Sequence, residues 1–157
     1  MTSLVISDRY RARLTKAERL HHNRQIDFLR AHAHTAYKGR WVRVLFCWLP
    51  TPVPATAPIQ LLLSVGKRRL RRAADRNRVK RQLREAYRLQ KACLYPVPVP
   101  DGELDQGGCW AIQIIFLQSA LPPYAVLAAE VLASLQAIHS QMPAQLQAYL
   151  HSREASP

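Results

Sequence analysis

Hydrophobic and polar positions follow different periods in successive blocks of the chain. Residues 1–13 (MTSLVISDRYRAR) hold no sustained period and read as a flexible basic arm. Beyond them Leu20, Ile26 and Leu29, with Phe28 close by, form an apolar stripe that predicts a helical segment to about Ala33. Thr15 suits its cap, and Glu18 falls three residues later as the capping-box partner. Gly39 interrupts that pattern, and residues 41–48 (WVRVLFCW) are rich in the β-branched and aromatic types that favour a strand. Four prolines in residues 50–58 make the next stretch a loop. The unbroken apolar run 59–65 then predicts a second strand, buried on both faces.

After Gly66 the pattern turns basic as far as Lys91, and residues 95–108 (YPVPVPDGELDQGG) follow as a Pro/Gly/acidic loop. Residues 109–117 predict a third strand. Pro122 and Pro123 open a last helix that carries Val126, Leu127, Val131, Leu135 and Ile138 at helical spacing. Pro143 is expected to end or kink it, leaving 143–157 as a frayed tail. The predicted order is α-β-β-α-β-α, an α/β fold of the α+β sandwich type, with one domain over residues 14–142. No repeat is present.

On a helical wheel of residues 75–91, Val79, Leu83, Ala86 and Tyr87 share one arc of about 100°. Asn77, Lys80, Arg81, Arg84, Arg88 and Lys91 fill the adjoining arc. A helix face that is merely solvated alternates Glu with Lys or Arg, because like charges three or four residues apart repel. Here only Asp75 and Glu85 oppose twelve cations between Lys67 and Lys91. Counter-ions from outside the chain best explain the tolerated repulsion, and Arg in preference to Lys favours forked contact with phosphate. Asn77, between Arg76 and Arg78, adds a neutral amide suited to a phosphate, a 2′-hydroxyl or a hydrated metal ion.

Composition agrees: 23 Lys and Arg against 10 Asp and Glu give a formal charge of +13, which points to a polyanionic partner. A membrane is the weaker candidate, since no apolar run approaches the roughly 20 residues that span a bilayer. No signal peptide is read at the start, so a cytoplasmic location is expected. The three cysteines, Cys47, Cys93 and Cys109, are too widely spaced to suggest a metal or disulfide frame. His21, His22, His32 and His34 lack further ligands at zinc-site spacing. Only Asp101, Glu103 and Asp105 cluster among the acids, in a loop better read as solvated than as a two-metal nuclease site. No catalytic side chain is assigned.

Residues 64–88 (SVGKRRLRRAADRNRVKRQLREAYR) join a strand ending in Ser-Val, a basic pair and an Arg-Asn-Arg-x-Lys-Arg-x-x-Arg-Glu helix. In this the chain resembles the bacterial ribonuclease P protein family, and the likeness extends more diffusely over about residues 14–138. The resemblance implies a mixed central sheet, with a parallel strand pair joined through the basic helix by a left-handed crossover, against the usual rule. It implies that Lys67, Arg68, Arg72, Arg76, Asn77, Arg78, Lys80, Arg81, Arg84 and Arg88 meet the catalytic RNA. It also implies a cleft for the single-stranded 5′ leader of precursor tRNA, with Ile26, Arg30, Trp41, Val44 and Phe46 as its candidates. Ile26 and Arg30 stand where family members commonly carry two phenylalanines. Mg2+ would be held mainly by the RNA and none by the protein alone, which would do no bond chemistry and need no protein partner. A ribosomal-type RNA-binding protein is the alternative; a DNA reader fits less well, because the helix lacks a mixed base-reading face.

Overall fold

The computed structural model describes residues 2–6, 13–50, 57–101 and 108–156. Along the chain they form β1 (Thr2–Leu4), a 3-10 turn (Lys16–Glu18), α1 (Asn23–His32), β2 (His34–Lys38), β3 (Val42–Leu49), β4 (Ile59–Ser64) and α2 (Ala73–Gln90). A second 3-10 turn (Lys91–Leu94), β5 (Val97–Val99), β6 (Cys109–Phe116) and α3 (Tyr124–Glu154) follow. One sheet has the order β2-β3-β6-β4, and β1 pairs separately with β5. Within the larger sheet β4 and β6 are parallel, with α2 between them in the chain, while β2-β3 and β3-β6 are antiparallel. The architecture is the expected α/β sandwich on a mixed sheet.

Strand alternation gives each face of the sheet its own cover. Val42, Val44, Phe46 and Trp48 of β3 and Trp110, Ile112, Ile114 and Phe116 of β6 join one core with Val79, Leu83, Ala86 and Tyr87 of α2 and Leu127, Val131, Leu135 and Ile138 of α3. On the opposite face Cys47, Leu49, Cys109 and Ala111 pack under Leu29 of α1 and Leu20. Each fully buried Val, Leu, Ile or Phe contributes roughly 1.5–3 kcal/mol, so the layers are held chiefly by these side chains.

Several expectations change. The first helix begins at Asn23, not near Thr15. The capping box does form, with Thr15 N–H donating to Glu18 Oε2 at 2.7 Å, but it closes a 3-10 turn. Residues 19–20 are then pulled out as an extended rung beside β4, where Leu20 N–H donates to the Leu61 carbonyl at 3.0 Å. The predicted arm contributes β1, whose partner β5 lies in the predicted loop; residues 7–12 fall outside the described ones. β2 also escaped prediction, because HTAYK has little apolar alternation. Finally, α3 does not end at Pro143. A proline inside a helix costs about 3 kcal/mol, and burial of Met142 and Leu146 on either side, with Tyr149 and Leu150 packed further along, offsets it.

Candidate nucleic-acid interface

After β4 the chain turns at Gly66, whose carbonyl accepts from the N–H groups of Arg69 (3.1 Å) and Leu70 (3.2 Å). Leu70 is buried and fixes this loop, so Lys67, Arg68, Arg69, Arg71 and Arg72 all stand exposed around it. Arg76 Nη1 donates to the carbonyls of Leu70 (2.9 Å) and Arg71 (2.6 Å) and draws the loop against the first turn of α2. Arg76 therefore has a structural task that its place in the Arg-Asn-Arg triplet did not reveal. Asp75 in the same turn complements the positive end of the helix dipole.

Along α2, Val79, Leu83, Ala86 and Tyr87 are essentially inaccessible, as the wheel predicts. Asn77, Arg78 and Arg81 are exposed, and Lys80, Arg84 and Arg88 are half-buried beside them. The one carboxylate paired with this face among the described residues is Glu85, which holds Arg88 through Nε–Oε2 (2.8 Å) and Nη2–Oε1 (2.6 Å). That hydrogen bond keeps the Glu85 carboxyl below its ordinary value and raises Arg88. Lys91 departs from the wheel. It lies in the interior, ion-paired with Glu18 at 2.5 Å and donating to the Arg13 carbonyl.

A second surface is the part of the sheet that α1 leaves open. Register places Arg43 beside Ile115 and Ser64 in one row, and Leu45 beside Gln113 and Leu62 in the next. Arg43 is exposed, while Leu45, Ile115, Leu62 and Ser64 are half-buried. Gln113 Nε2 donates to Ser64 Oγ at 2.8 Å. From α1, Ile26 packs with Leu62 in the smaller core and Arg30 is exposed. Of the strand residues expected in a leader cleft, Val44 and Phe46 are completely buried on the other face, under α3. Trp41 is turned the same way, its ring 6.2 Å from that of Phe116, while its backbone N–H donates to Glu130. The charge at Arg43 marks the open side of β3, and that parity signal points to Arg43 and Leu45 instead.

No group of three His, Cys, Asp or Glu side chains able to hold a metal ion occurs among the described residues. Glu103 and Asp105 lie outside those residues. Asn77 is exposed at the cationic face, where a hydrated ion brought by a partner could reach its amide. No described helix is long and apolar enough to cross a membrane.

Sheet, buried helix base and exposed cations together define a small α/β protein with an exposed basic helix face. The family model for ribonuclease P matches residues 14–101, more than half of the chain, and the chain belongs to that family. Over 37 residues it is 57% identical to the ribonuclease P protein component of Chlorobaculum tepidum, a stretch that covers 24% of each chain. Over 37 residues it is 62% identical to the ribonuclease P protein component of Porphyromonas gingivalis, covering 24% of this chain and 27% of that one. The match thus spans about a quarter of the length of these curated relatives.

Proposed function

We propose that this chain is the protein subunit of a bacterial ribonuclease P, which binds the catalytic RNA through α2 and assists endonucleolytic removal of the 5′ leader from precursor tRNA. The carrying observation is the cationic face of α2, exposed along an apolar base that is fully packed, in a chain of the ribonuclease P family. Lys67, Arg68, Arg72, Asn77, Arg78, Lys80, Arg81 and Arg84 meet RNA phosphates and 2′-hydroxyls, and Arg88 does so from its pairing with Glu85. Arg76 acts mainly by shaping the loop. The leader lies along the open rows of the sheet, beside Ile26 and Arg30 and over Arg43 and Leu45. Phosphodiester hydrolysis is carried by Mg2+ held mainly by the RNA, and the protein's part is to neutralise and position.

Reconstitution with a bacterial ribonuclease P RNA tests this, with precursor tRNA cleavage measured at low magnesium. Wild-type protein is expected to stimulate cleavage, and stimulation is expected to fade in Asn77→Ala/Arg78→Ala/Arg81→Ala. A wild-type chain that binds structured RNA and stimulates nothing would favour a ribosomal-type role.

A further inference from the structure

The buried Lys91–Glu18 pair has no place in the surface just described, and it costs the chain a cation and a carboxylate. Both side chains are almost wholly inaccessible, and removing ions from water is expensive unless each finds several partners. Among the described residues, Arg13, Thr15 and Glu18 supply such partners from one short segment, 13–18. Lys91 Nζ donates to the Arg13 carbonyl and to Glu18 Oε1, and Glu18 Oε2 accepts from Thr15 N–H (2.7 Å) and Thr15 Oγ (3.1 Å). The pair therefore ties residues 13–18 to the C-terminal end of α2.

What this tether positions is Arg13. Its side chain is exposed and, with Leu14, lines one side of an open groove of about 640 Å³ whose other side is Arg81, Arg84, Glu85 and Arg88 of α2. Glu85 is engaged with Arg88, so the groove carries an excess of positive charge. Arg81, Arg84 and Arg88 recur at i, i+3 and i+7, one row about 10 Å long on the helix. A row of that length facing a cation across a groove suits a run of phosphates better than a single anion, and guanidinium groups on two sides can grip a phosphate in forked fashion.

We propose that this groove is a channel for the phosphate backbone of one RNA strand, with Arg13 as its second wall and the Lys91–Glu18 pair as the positioning device. The assignment rests on the RNA-subunit reading above and extends the contact surface from α2 to the segment ahead of α1.

The experiment uses the full chain and bacterial ribonuclease P RNA, with affinity measured across a salt series. Arg13→Ala is expected to weaken binding and reduce the slope of log K against log salt by about one, as Arg81→Ala should. Arg13→Lys should keep the slope. Glu18→Gln/Lys91→Met removes the buried charges together, and is expected to melt cooperatively yet bind like Arg13→Ala. If Arg13→Ala leaves affinity and slope unchanged while Arg81→Ala lowers both, the channel is wrong and the RNA-subunit reading stands. If the Arg13 effect appears equally with an unrelated structured RNA, and ribonuclease P RNA is not preferred, the channel holds and the subunit reading fails.

Discussion

Cys47 and Cys109 lie on neighbouring strands beneath α1, and burial pushes both thiols from the ordinary value near 9 up to about 12. An unfolded chain loses these protons near pH 9, while the folded chain keeps them to about 12, so stability falls as pH rises through that window. The urea midpoint should be level at neutral pH and decline above about pH 9. Cys47→Ala/Cys109→Ala should remove the early part of the decline. Tyr87, fully buried and raised well above 10 by burial, leaves a later part in place. Reading the sequence found Tyr87 by periodicity, because four apolar side chains of α2 recur on one arc. Lys91 lies on that same wheel, but its fate depends on Glu18, 73 residues earlier in the chain, and local spacing carries no information about such a partner.

At the scale of elements, β3 shows how one residue of register decides function. A strand sends alternate side chains to opposite faces, so choosing Val44 and Phe46 for an RNA cleft placed them under α3. Phe46→Ala should cost about 3–5 kcal/mol in stability by opening the core. Arg43→Ala should leave the urea midpoint nearly unchanged and weaken the discrimination between precursor tRNA with its leader and mature tRNA. Equal affinities of Arg43→Ala and wild type for the precursor would remove Arg43 from the leader surface. The three long strands and three helices were legible because each has a clear period or a run of strand formers. β1, β2 and β5 were not, since three to five residues with prolines or polar side chains form strands only where a neighbour offers free backbone groups. The passage of α3 through Pro143 was hidden for a related reason: the penalty is local, whereas Leu146, Tyr149 and Leu150 offset it through tertiary contacts.

For the whole molecule, a formal charge of +13 concentrated around α2 sets stability against binding. Like charges three or four residues apart on a helix cost about 0.2–0.5 kcal/mol per pair, and Arg81 has Arg84 three residues on and Arg78 three residues before it. Removing that charge while keeping hydrogen-bonding capacity should relieve the repulsion without disturbing the core. Arg81→Gln is therefore expected to raise the urea midpoint of the free protein slightly at low salt, with the gain vanishing as salt screens the charges. The same substitution should weaken RNA binding and lower its salt slope by about one. Bound RNA should reverse the order of stability, because a ligand that binds only the folded chain stabilises it in proportion to its affinity. Thermal melts of wild type and Arg81→Gln, with and without RNA, would reveal the crossing. A variant less stable than wild type in both conditions would mean that Arg81 supports the fold, and that the repulsion on this face is already relieved from within.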